Sequence, residues 1–187
     1  NIDPILQLNV LDQMNKAPTL VGLDTMNYWI DSKKCPLEEV VQRINVLFMD
    51  ETEIKEFTNK ETIYSAAEHV HKMGPEIVVV KKGEHGAIVT YEGEAFAIPA
   101  YPTQNVMDPT GAGDSFAGGF MGYMSSVKTL TSEHIRQAIA FASVMGSLTV
   151  ENFSINRLTG LKSEEIHQRF QELFKLTNFN PNIVVTK

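Results

Sequence analysis

The stretch DPTGAGDSF, Asp108 to Phe116, places two aspartates and two glycines within nine residues, and the apolar run FAGGFMGYM overlaps its end. Gly111 and Gly113 permit backbone angles that other residues resist, and they leave room for a ligand to reach the main chain. The small-residue run reads as a helix from about Gly113 to Met124, so the amides of Ala112, Gly113 and Asp114 are expected to project unpaired from its start. A helix N-terminus of that kind is an anion site. Asp114 would repel the anion, which makes it a poor choice for binding alone. It makes sense if it accepts a proton from a hydroxyl attacking a phosphate. Asp is also a favoured helix cap, and from this loop alone base and cap stand equally open.

Two other stretches carry related chemistry. In DETE, Asp50 and Glu53 stand one helical turn apart, which can put both carboxylates on one face, suited to hydrated Mg²⁺ beside phosphates. The competing reading is an acidic first helical turn. In KKGEHG, Lys81 or Lys82 is placed to meet phosphate and Gly83 to let a nucleotide pass the backbone; the plainer reading is an edge turn with solvated lysines. No GxxxxGK[ST] pattern occurs, which excludes a Walker-A site.

The elements that must position these loops alternate along the chain. TLVGLD (19–24), INVLFMD (44–50) and EIVVVKK (76–82) read as buried strands. Between them lie helical segments: one near Pro4, one starting at Pro36, then 51–57 and 60–73. AIVTY and EAFAIP form an antiparallel hairpin at the sheet edge. Helices are expected from about Ser132 to Val150 and after Ser163, a plausible N-cap. The pattern predicts right-handed crossovers and a mostly parallel sheet covered on both faces. In open α/β sheets ligands sit beyond the carboxyl ends of the strands, and DETE and KKGEHG follow such ends.

Bulk properties narrow the classes. With 187 residues, 43% apolar and 21% charged, the chain has ordinary globular composition for one domain. A net charge of −7 leaves no basic footprint for nucleic acid, and no apolar run is long enough to span a bilayer. The lone Cys35 forms no internal disulfide and fits a reducing, cytoplasmic compartment. The chain opens NIDPILQL, without an initiator Met, and reads as the interior of something longer.

DPTGAGDSFAGGF closely resembles the C-terminal signature of the ribokinase-like, or PfkB, carbohydrate kinase family, a D-T/P-T-G-A-G-D-x-F loop followed by a small-residue helix. The order of DETE, KKGEHG and this loop also fits, and the resemblance covers essentially the whole chain. It implies a three-layer α/β/α, ribokinase-like (Rossmann-like) fold, with residues 1–187 as one N-terminally incomplete kinase domain lacking the lid and most acceptor-binding residues. It implies ATP, Mg²⁺, a sugar acceptor and, in many members, K⁺. By the same resemblance Asp114 is similar to the catalytic base, and Gly111, Ala112 and Gly113 to the anion hole. Glu53 matches the Glu of N-x-x-E that organises Mg²⁺, with Asp50 in place of the usual Asn. Lys81 stands where a nucleotide-contacting Thr or Ser is common, followed by Gly83 and Gly86. Asp108 and Thr110 resemble residues around a monovalent-cation site, and Ser143 an adenine-side residue. Asn152 and Phe153 would begin the loop that closes that pocket. DTMNYW, from Asp24, is similar to a D-x-N-x-R segment of some sugar-acid kinases, without the Arg. The implied function is transfer of the ATP γ-phosphoryl group to a sugar hydroxyl, and with the acceptor half missing this chain alone is expected to bind nucleotide but to phosphorylate sugar poorly or not at all. A nucleoside kinase on the same scaffold and a catalytically silent nucleotide-binding protein are the alternatives. An incomplete domain of this kind is expected to expose a sheet edge and to self-associate through it.

Overall fold

The computed structural model describes residues 2–178. Five strands form one sheet in sequential order: β1 (Gly22–Asp24), β2 (Val46–Asp50), β3 (Ile77–Lys81), β4 (Ala87–Tyr91) and β5 (Glu94–Ile98). β1, β2 and β3 pair in parallel, then β4 and β5 pair antiparallel. Four of the five strands therefore point the same way, as the element alternation predicts, and the hairpin strand β5 forms one edge.

β2 and β3 are apolar at every interior position because both of their faces are covered. Val46, Phe48, Ile77 and Val79 pack on one face with Phe116, Phe120, Ile139 and Leu148. Those partners come from α6 (Ala112–Ser126) and α7 (Ser132–Thr149), and α8 (Ser163–Thr177) adds the buried Leu173. Leu47, Met49, Val78 and Val80 face the other way. There they meet α2 (Asn27–Ser32), α3 (Lys34–Val41), α4 (Glu51–Thr58) and α5 (Ile63–Met73). The result is a three-layer α/β/α arrangement.

Local chemistry sets the ends of these elements. Pro4 opens α1 (Pro4–Asp12), capped by Asp3 Oδ1 accepting from the Ile5 amide at 2.9 Å. Thr62 caps α5, so that helix starts at Ile63 and not at Lys60. α3 starts two residues before Pro36, and the short α2 precedes it where the sequence reading has no helix. Ser163 is the first residue of α8; the cap position falls on Lys162, with no side-chain bond. Gly119 lets α6 approach α7 closely: a Cβ there would stand 2.8 Å from Met145 Cγ. The adjacent Gly118 meets nothing within 4 Å, so only one of the pair serves helix packing.

Candidate active site

The carboxyl ends of the three parallel strands carry Asp24, Asp50 and Lys81. The start of α6 lies against them, since a Cβ built on Gly113 would stand 3.2 Å from Lys81 Nζ. The loops singled out by sequence therefore converge on one side of the sheet.

The Asp108–Asp114 loop is built around Gly111, whose φ of 80° and ψ of 0° suit the third position of a type II turn. The Ala112 amide closes that turn by donating to Pro109 O at 3.1 Å. This corrects the expected trio of free amides: Ala112 is paired because the turn needs its N–H. Among the described residues the Gly113 and Asp114 amides have no acceptor, and they remain at the positive end of the α6 dipole. The cap residue is Gly111, while Asp114 is the third residue of the helix. Its side chain is exposed and accepts no hydrogen bond among the described residues. The capping alternative for Asp114 therefore does not hold.

Asp50 and Glu53 form a reciprocal capping box at α4. Asp50 Oδ1 accepts from the Glu53 amide at 2.8 Å, and Glu53 Oε2 accepts from the Asp50 amide at 2.7 Å. Each carboxylate keeps one oxygen uncommitted. Burial holds the Glu53 carboxyl above the ordinary glutamate value, against the lowering effect of the Asp50 amide. Among the described residues no cluster of three His, Cys, Asp or Glu side chains forms a metal cage. Two partly committed carboxylates suit Mg²⁺, which keeps waters and phosphate oxygens as ligands.

Lys81 is paired with Asp24, its Nζ 2.8 and 2.6 Å from the two carboxylate oxygens. The sequence reading missed this partner, although an acid at the carboxyl end of β1 was its signal. Lys82 instead lies 3.9 Å from Glu51 on α4. Gly83 has φ of 56° and open space above it, as close ligand approach requires. Gly86 has a packing reason of its own: with φ of 88°, a Cβ would meet Ile98 O at 2.0 Å.

Other expected contacts fall elsewhere. Ser143 is buried, and its hydroxyl donates to Pro99 O at 3.2 Å, tying α7 to the segment after β5 where an adenine-side role calls for an open side chain. Asp108 accepts from the Thr110 amide at 2.9 Å and the Ser154 amide at 3.2 Å, clasping two loops. Hydrogen bonds from the Thr110 amide and hydroxyl and the Ser154 amide hold its carboxyl below the usual aspartate value. With both oxygens engaged, the Asp108–Thr110 pair acts as a loop clasp in this structure. Phe153, at the start of the expected closing loop, is largely exposed. A concavity of about 840 Å³ runs between α6, α7 and α8, past Gly118 and Gly122 toward His167. It lies beside the Asp108–Asp114 loop and not over it. Among the described residues no helix is long and apolar enough to cross a membrane.

Comparison with known proteins identifies the family and the fold. The pfkB family carbohydrate kinase model matches residues 8–159, and the chain belongs to that family. It is 35% identical to a cytidine kinase of Thermococcus kodakarensis over 123 residues, which is 64% of this chain and 44% of that enzyme. It is 30% identical to a ribokinase of Arabidopsis thaliana over 153 residues, 78% of this chain and 38% of that one. Among solved structures, a Vibrio cholerae fructokinase bound to fructose, ADP and calcium superimposes with a TM-score of 0.77 at 20% identity, covering 88% of this chain and 55% of that chain. A nucleoside kinase of Methanocaldococcus jannaschii gives 0.71 at 24% identity, covering 91% and 54%. The chain thus spans about half or less of the length of these relatives.

Proposed function

We propose that this chain is the nucleotide- and phosphoryl-handling part of an ATP-dependent kinase domain that phosphorylates a hydroxyl of a sugar or sugar-containing acceptor in the cytoplasm. The observation that carries this reading is the start of α6: two free amides, at Gly113 and Asp114, beside one uncapped carboxylate and one ammonium. The amides and the helix dipole hold the negative charge of the moving phosphoryl group. Lys81 adds a positive charge on the same side. Asp114, free of structural duties, takes the proton of the attacking hydroxyl. Glu53 and Asp50 would hold Mg²⁺ through their uncommitted oxygens, and that ion, when bound, neutralises charge on the nucleotide phosphates. Gly83 leaves room for the nucleotide to cross the end of β3.

A nucleoside acceptor is the second reading, favoured by the similarity to cytidine and nucleoside kinases. A panel of sugars and nucleosides assayed with Mg·ATP separates the two. On any acceptor that turns over, Asp114→Asn should lower the rate by about 10²–10⁴ while Mg·ATP affinity, read by calorimetry, stays within about twofold. Turnover that survives the substitution removes Asp114 from its role. Mg·ATP binding without turnover on any acceptor supports a silent nucleotide-binding protein instead.

A further inference from the structure

The kinase reading leaves one feature of its own site unexplained. Lys81 binds Asp24 through both carboxylate oxygens, at 2.6 and 2.8 Å, in a pair whose side chains are only 18% and 21% exposed. The pair reaches across β2, from the carboxyl end of β1 to that of β3. It sits at an electrostatically awkward place. The ammonium lies over Gly113, at the positive end of the α6 dipole, where a cation is disfavoured unless an anion accompanies it. Asp24 is that anion. Beyond its own helix, a Cβ at Gly113 would meet only Lys81 Nζ within 4 Å, and one at Gly111 would meet nothing among the described residues. The space is open to a ligand and is bordered by two free amides and this ammonium.

We infer that Asp24 is the resident counter-ion of Lys81, which exchanges that carboxylate for a phosphate oxygen when a polyphosphate reaches the start of α6. Asp24 therefore holds the ammonium in place in the ligand-free protein and weakens anion binding by competing for it. A lysine ammonium has three donors and no fixed fork, so it can turn from one acceptor to another without moving its stem far. Glu53 and Asp50 stand nearby but spend oxygens on the α4 capping box, and Asp24 is the carboxylate bonded to Lys81. This inference rests on the kinase reading for the identity of the polyphosphate, and on the ion-pair geometry for the exchange.

The test is calorimetric titration of wild type, Asp24→Asn, Lys81→Met and the double variant with inorganic tripolyphosphate and, separately, with Mg·ATP. Asp24→Asn keeps the side-chain shape and removes the charge. It should tighten tripolyphosphate by about fivefold, and Lys81→Met should weaken it by a similar factor. In the Lys81→Met background the gain from Asp24→Asn should largely disappear. An unchanged affinity with a lowered melting temperature would make the pair a plain staple between strands and overturn the inference. So would an equal gain in both backgrounds, which would reduce Asp24 to general repulsion. If the variants do not fold, the ¹⁵N signal of the Lys81 ammonium in wild type decides: it should move on adding tripolyphosphate, and a static signal overturns the exchange. Tripolyphosphate tightening without Mg·ATP binding upholds the exchange and sinks the kinase reading. Mg·ATP binding that Asp24→Asn leaves unchanged does the reverse.

Discussion

Glu53 is at once a helix-capping group and a proposed metal ligand, and the two demands oppose each other. Its carboxylate caps α4 and is held above the ordinary glutamate pKa by burial. A raised folded-state value means the native protein binds that proton more tightly than the unfolded chain does. The stability gained is complete below the ordinary glutamate value and is lost as pH rises through the elevated folded value. At neutral pH an ionised Glu53 is thus a net electrostatic cost, which the proposed metal-organising role would account for. Glu53→Gln keeps an acceptor for the Asp50 amide. It should melt no lower than wild type at pH 7, with its relative advantage shrinking toward pH 4, and should weaken Mg·ATP about tenfold. Thermal melts across pH with parallel calorimetry check both; a large loss of stability at pH 7 would mean the charge itself holds α4. The positions of Asp50, Glu53, Gly111 and Asp114, at a strand end and at helix starts, were legible in sequence by type and spacing. What spacing cannot report is where each hydrogen bond goes. Ala112 closes a turn, Ser143 bonds a carbonyl and Asp108 clasps a loop. The Asp24–Lys81 pair joins residues 57 positions apart, a separation that no local pattern encodes.

At the scale of elements, the three parallel strands and the hairpin follow directly from apolar runs and turn residues. The two-faced burial of β2 and β3 is the reason: a strand covered on both sides has little choice of composition. α2 escaped because it is six residues long and its cap position, Met26, makes no side-chain bond. Ser163 read as a cap but lies inside α8, one residue past Lys162, so the acidic pair Glu164 and Glu165 still falls in the first turn. α6 is the element on which the site depends. One glycine, Gly111, sets its starting turn, and another, Gly119, seats it on α7, so the direction of its free amides is fixed by packing behind them.

At the scale of the whole molecule, β1 ends the sheet among the described residues, with β2 beside it. On the same chain α1, packed against α3, leaves Ile5, Leu6 and Val10 about half exposed. An open strand edge favours association, and we expect this chain to form homo-oligomers through the β1 edge. Sedimentation velocity should show species larger than monomer that grow with concentration; a lone monomer throughout would contradict that. The central claim is narrower and can be read at individual atoms. Backbone ¹H–¹⁵N spectra of the chain titrated with Mg·AMP-PNP, a non-hydrolysable ATP analogue, report on each amide separately. The kinase reading predicts that Gly113 and Asp114 shift most, together with Gly83, and that Ala112, already bonded to Pro109, shifts less. Shifts confined to the groove along α6, or no shifts at all, would contradict it.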